Sequence, residues 1–149
     1  VEKPALAGLW PNKSGMNVVL DLGANIECGE KNLIDFCHMG SALFKSLYAE
    51  IEPKTALLNV GLEENKGNET IKKAYQKLKE SNYKDFDFRG YIEGNHIMDG
   101  DVDVIITDGF TGNVALKTAE GTANFITSNL RKSLNKLSIL LKNQGINIP

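Results

Sequence analysis

Apolar runs and helical stripes alternate along this chain. Residues 17–22 (NVVLDL) form a short apolar run that stops at Gly23. Residues 30–49 follow with the period of a helix, and Leu33, Phe36, Cys37, Gly40, Leu43, Phe44 and Leu47 share one face. Pro53 breaks the chain, and residues 55–60 (TALLNV) form a second run that ends at Gly61. Over 68–81, Ile71, Ala74, Tyr75 and Leu78 make a second stripe, with Asn68 placed as its N-cap. Residues 86–92 alternate Phe86, Phe88 and Gly90 with Asp87 and Arg89, the pattern of a half-exposed strand. Residues 102–107 (VDVIIT) are apolar and β-branched, and a long helix is predicted over 113–142. Three nearly continuous apolar strands separated by helices predict an α/β protein. Its parallel sheet is covered on both faces and joined by right-handed crossovers.

Composition narrows the class. The chain has 149 residues, 42% hydrophobic and 24% charged, which predicts one folded α/β domain over 1–149 rather than a disordered segment. A formal net charge of −2 gives no global field for nucleic acid. No apolar run is long enough to span a bilayer as a helix. The two cysteines, Cys28 and Cys37, make no disulfide framework and fit a reducing compartment. The chain begins at Val1 without a signal-peptide core, and we expect it to be part of a longer protein. Charge is uneven: 85–108 holds seven acidic residues and one basic, and 113–142 five basic and one acidic. Solvated faces account for this, and a basic docking face is the sharper alternative.

The chemistry gathers at three strand ends: Asp21-Leu22-Gly23-Ala24-Asn25, Asn59-Val60-Gly61 leading to Lys66-Gly67-Asn68-Glu69, and Asp108-Gly109-Phe110-Thr111-Gly112-Asn113. In an open parallel sheet, ligands bind beyond the carboxyl ends of the strands. The third segment reads as a turn with two glycines, Gly109 and Gly112, opening a helix. Backbone N–H groups and a helix N-terminus make such a turn an anion site, with Thr111 and Asn113 as side-chain donors. Asp108 looks wrong for an anion and makes sense if it orients Thr111, handles a proton or caps the helix; a capped βα turn is the plain alternative. Lys66 at the mouth of a helix supplies a point charge for phosphate, although a solvated loop lysine and a plain N-cap at Asn68 are the commoner cases. Dinucleotide, Walker A and nucleophile-elbow motifs are absent. His38 and His96 have no metal-spaced partners, so no metal or cofactor is expected. Cys37 reads as core, His38 as surface and Cys28 as a loop thiol.

These loops resemble those of the PlsX family of phosphate acyltransferases. The likeness rests on KPALAGLWPNKSG, VVLDLGANIEC, MGSALF, ALLNVGLEENKGNE, YIEGNHI and VDVIITDGFTGNVALKTAEG, and covers residues 3 to about 125. Asn95 and His96 depart from the charged pair usual in that family, so no role is carried onto them. The resemblance implies a three-layer α/β/α fold like that of isocitrate and isopropylmalate dehydrogenases. It implies a cytosolic homodimer that can lie on the membrane surface, and a family roughly twice this length, of which this chain is the C-terminal-side part. The implied activity is formation of acyl phosphate from acyl-acyl-carrier protein and inorganic phosphate, in phospholipid synthesis. On this reading Lys66 and the backbone around Gly109, Thr111 and Gly112 hold phosphate. Asn68 and Asn113 donate to the oxyanion, and Asp108 orients phosphate or takes its proton. Asn25 joins the substrate-binding set, and Lys13 is a secondary candidate for phosphate or the carrier protein's acidic surface. On the long helix, Ile126, Leu130, Leu134, Leu137 and Leu141 form a stripe that suits a core or dimer helix, and also a helix in a membrane interface. Two alternatives remain: a decarboxylating dehydrogenase of the same fold, and a non-catalytic fragment that binds carrier protein or membrane.

Overall fold

A computed structural model describes residues 3–144. Strands β1 (Gly8–Asn12), β2 (Gly15–Leu20), β3 (Lys54–Asn59), β4 (Asp87–Glu93) and β5 (Val104–Ile106) form one sheet in the order β1-β2-β5-β3-β4. Helix α1 (Glu30–Leu47) joins β2 to β3, α2 (Glu69–Glu80) joins β3 to β4, and α3 (Gly109–Asn143) follows β5. Strands β2, β5, β3 and β4 run parallel, as the three apolar runs predict, with Val18 and Thr55 both in register with Val104. Strand β1 is the exception: it pairs antiparallel with β2. The sequence reading missed it because Pro11 and two glycine-containing flanks hide a short edge strand whose only buried side chain is Trp10.

Alternation along the strands explains the core. Val18, Leu20, Leu57, Val104 and Ile106 face the apolar side of α1, where they meet Leu33, Phe36, Cys37 and Phe44. Ala74 and Leu78 add the stripe of α2. Val19, Ala56 and Ile105 point to the other face and are also buried, so both faces of the parallel strands are covered. Gly40 lets α1 approach closely: a Cβ there would lie 2.6 Å from Val104 Cγ1. Of the predicted α1 face, Leu43 and Leu47 instead lie exposed at its end. Cys37 is buried, Cys28 is half-buried in a loop, and His38 reaches the surface, where its Nδ1 meets Asp85.

The ends of elements differ from the periodicity for local reasons. Strand β2 stops at Leu20 because the Asp21 carboxylate gathers the backbone that follows. Just before β5, Asp103 bonds to the strands on both sides: its N–H donates to Lys54 O and its carbonyl accepts from Val18 N, each at 2.8 Å, so the pairing reaches one residue past the short strand. Helix α3 begins at Gly109 rather than Asn113, so the expected six-residue turn is mostly the helix's first turn.

The chain divides into two compact units, Val1–Ala115 and Leu116–Pro149. The first holds the sheet, α1, α2 and the start of α3. The second is the remainder of α3 with the residues beyond, and on that helix Phe125, Ile126, Leu130, Leu134, Leu137, Ile139 and Leu140 are exposed. Among the described residues no helix is long and apolar enough to cross a membrane.

Candidate functional site

Parallel pairing brings the carboxyl ends of β2, β5 and β3 to one edge of the sheet, and with them the three loops. The first loop is organised around Asp21, which is fully buried. Its Oδ1 accepts from the N–H groups of Leu6 (3.0 Å), Gly23 (3.1 Å) and Ala24 (2.9 Å). Its Oδ2 accepts from Asn25 N (2.7 Å) and Asn25 Nδ2 (2.8 Å). Burial alone would raise this carboxyl's pKa, but the donors from Ala24, Asn25 and Leu6 outweigh it and hold the group below the ordinary carboxylate range. Asn25 therefore shapes the loop: its Nδ2 also reaches Pro4 O, and its carbonyl accepts from Gly109 N at 2.7 Å.

The third loop locks against the first. Asp108 caps α3, accepting Thr111 N at Oδ1 and the Thr111 hydroxyl at Oδ2, each at 2.8 Å. This satisfies two of the sequence expectations for Asp108, orienting Thr111 and capping. The two glycines serve close approach rather than unusual backbone angles. A Cβ on Gly109 would lie 2.5 Å from Asn25 O, and one on Gly112 only 1.9 Å from Asp21 O. The N–H groups of both are used inside the protein, Gly112 donating to Asp108 O at 2.9 Å. Asn113 is half-buried and its Nδ2 donates to Leu22 O at 3.3 Å, so its amide ties the third loop to the first.

The second loop is built for Lys66 and Asn68. Asn59 Nδ2 donates to Lys66 O at 3.2 Å, and Gly67 takes a φ of +89°, which permits the turn where a side chain would strike Asn59 Oδ1. Asn68 Oδ1 accepts Ile71 N at 2.9 Å, the N-cap bond the sequence predicts for α2. Glu64 ties the outer limb of the loop to α2 through Lys79 Nζ and the Tyr75 hydroxyl, and those two donors hold its carboxyl below the ordinary range. Lys66 itself is exposed.

A cleft of about 530 Å³ opens between the three loops. Asn68, Thr70 and Ile71 line one wall, from the first turn of α2; Asp108, Phe110 and Thr111 line another, from the first turn of α3; Ile26, Glu27 and Cys28 come from the first loop. Two helix N-termini thus open on one space. Of the sequence candidates, Asn68, Asp108 and Thr111 meet in it. Lys66 stands two residues from Asn68, while Asn25, Gly109, Gly112 and Asn113 build the loops behind it. Lys13 does not join them. It lies in the β1–β2 turn, at the opposite end of β2 from Asp21, where its Nζ pairs with Asp99. That pairing and the Asp99 charge hold the lysine's pKa above its ordinary value. Sequence reasoning did not single out Thr70, Ile26 or Phe110, which also line the cleft. Among the described residues no group of three or more His, Cys, Asp or Glu is placed to hold a metal. The Asp103 carboxylate accepts Lys54 N at 2.8 Å, at the amino end of the strands and away from the cleft.

Comparison with known proteins places these loops in a family context. The family model described as fatty acid synthesis protein matches residues 1–145. A phosphate acyltransferase of Pelagibacter ubique is 69% identical over 134 residues, covering 90% of this chain and 40% of that protein. One from Agrobacterium fabrum is 46% identical over 136 residues, with 91% and 38% covered, and one from Maricaulis maris is 46% identical over 142 residues, with 95% and 40% covered. The chain spans about 40% of the length of these curated relatives.

Proposed function

Because the chain belongs to the fatty acid synthesis protein family, we propose that it forms the reaction cleft of a phosphate acyltransferase, which moves an acyl group from the thioester of acyl-acyl-carrier protein to inorganic phosphate. The observation that carries this reading is the pair of helix N-termini, from α2 and α3, opening on one cleft. Phosphate at neutral pH is already a nucleophile, so the protein's task is to hold a dianion beside a carbonyl and to stabilise the oxyanion that forms. A phosphate oxygen attacks the thioester carbon, the tetrahedral intermediate collapses, and the C–S bond breaks to release the carrier thiolate, which takes up a proton. The products are acyl phosphate and free carrier thiol.

In this reading the first turn of α2, with Asn68 and Thr70, receives phosphate, and Lys66, two residues before Asn68, adds its charge. Asp108, fixed by Thr111, accepts a hydrogen bond from the protonated phosphate oxygen and so turns an unprotonated one toward the carbonyl. Asn113 positions the first loop through one hydrogen of its NH2, bonded to Leu22 O, and the second hydrogen is left to donate to the oxyanion. The exposed Leu130, Leu134 and Leu137 serve a contact with a second copy or with the membrane surface. The dehydrogenase alternative is less favoured, because Asp103 is committed to Lys54 N at the other end of the strands.

The test is acyl phosphate formation, trapped with hydroxylamine, by the full-length protein carrying this chain, at varied phosphate. Lys66→Ala removes a cation facing a dianion, a contact worth about 1.5–3 kcal/mol, so kcat/KM for phosphate should fall roughly 10- to 150-fold. Consumption of a nicotinamide cofactor with no acyl phosphate formed would reject the reading.

A further inference from the structure

The cleft has two chemistries. Its polar lining, Asn68, Thr70, Thr107 and Thr111 with the carboxylates of Asp108 and Glu27, stands beside an apolar lining of Ile26, Cys28, Leu33, Ile71 and Phe110. Leu33 belongs to the core, but Ile26 and Phe110 do not: they are 60% and 58% exposed. Single exposed apolar residues are ordinary, yet two that line one cleft beside its polar groups are a directed feature. Packing does not require Phe110. It is the second residue of α3, and the neighbours on either side, Gly109 and Thr111, make the contacts that fix the helix start. The space, about 530 Å³, is also far larger than a phosphate ion needs.

We propose that Ile26 and Phe110 receive the apolar arm of the acyl thioester, so that the chain lies against them while its carbonyl reaches the polar wall. This rests on the acyl-transfer reading and adds to it the residues that select the donor. Phe110 and Ile26 set affinity for the acyl donor and its dependence on chain length, and leave phosphate binding to the α2 side. The half-buried Cys28 thiol lines the same cleft and serves as a built-in reporter. Burial, together with the charges of Asp108 and Asp21, pushes that thiol's pKa up, so alkylation is followed at alkaline pH.

The experiment uses the full-length protein with palmitoyl- and octanoyl-acyl-carrier protein at varied phosphate. Phe110→Ala should raise KM for the palmitoyl donor roughly 10-fold, the octanoyl donor less, and change KM for phosphate by no more than about 2-fold. Phe110→Leu should restore most of the loss. In parallel, a palmityl pantetheine thioether, which cannot react, should slow alkylation of Cys28 in the unaltered protein, read by mass spectrometry of the peptide that carries it, and not in Phe110→Ala. Protection without acyl phosphate formation would keep the apolar site and reject the reaction. Acyl phosphate formation with no protection, or a Phe110→Ala effect equal on both substrates or absent, would overturn the proposal.

Discussion

Alanine at Gly112 should cost about 3 kcal/mol or more of stability, although alanine is the better helix former by about 1 kcal/mol. The sign follows from what the missing side chain leaves room for. Gly112 lies in the first turn of α3, and a Cβ there would fall 1.9 Å from Asp21 O, with Thr107 Cγ2 at 2.9 Å. A backbone carbonyl cannot rotate aside as a side-chain end can. Either α3 or the first loop must therefore move, and with it the Asn113–Leu22 and Gly109–Asn25 bonds that fix the cleft. Gly121, further along the same helix, has nothing within 4 Å of its would-be Cβ, and its alanine variant should gain stability instead. Urea unfolding of the two variants beside the parent reads both signs. Equal shifts in the same direction would reject the close-packed junction.

Asp21→Asn should cost about 3–5 kcal/mol, and the loss should depend on pH. The carboxylate accepts five N–H donors, three at Oδ1 and two at Oδ2. An amide of the same shape keeps one oxygen and turns an NH2 toward the donors of the other, leaving at least two buried N–H groups without an acceptor. The folded-state pKa of Asp21 lies below its ordinary value. Its contribution is therefore complete above about pH 4 and is lost as pH falls through the folded-state pKa. The gap in unfolding free energy between parent and variant should be constant near neutrality and close in acid. Denaturant titrations across that range check it; a gap that widens in acid would contradict the assignment.

The parallel strands and the two covering helices were legible because their apolar runs are unbroken and glycine or asparagine marks their ends. Strand β1 was not, since Trp10 is its one buried side chain and Pro11 its strongest signal points away from a strand. That the three loops meet at one edge of the sheet was legible as well, but the partners of their side chains were not. Nothing in the spacing of DGFTGN shows that its glycines serve contact with Asn25 and Asp21 rather than a freely turning anion nest. That distinction depends on a second loop almost ninety residues earlier in the chain. Lys13 reads as a loop cation in the sequence, and only the antiparallel pairing of β1 with β2 sends it to the far end of the sheet.

The central claim is that an anion is received at the first turn of α2, and Asn68→Asp in the full-length protein tests it most directly. Aspartate keeps the cap, because a carboxylate oxygen accepts Ile71 N as Asn68 Oδ1 does at 2.9 Å, and its charge favours a helix N-terminus. It also removes the Nδ2 donor and sets a negative group where phosphate is to bind. The account predicts an unchanged or slightly raised melting temperature together with a loss of roughly 10-fold or more in kcat/KM for phosphate. Unchanged phosphate kinetics in a variant that is equally stable would contradict it.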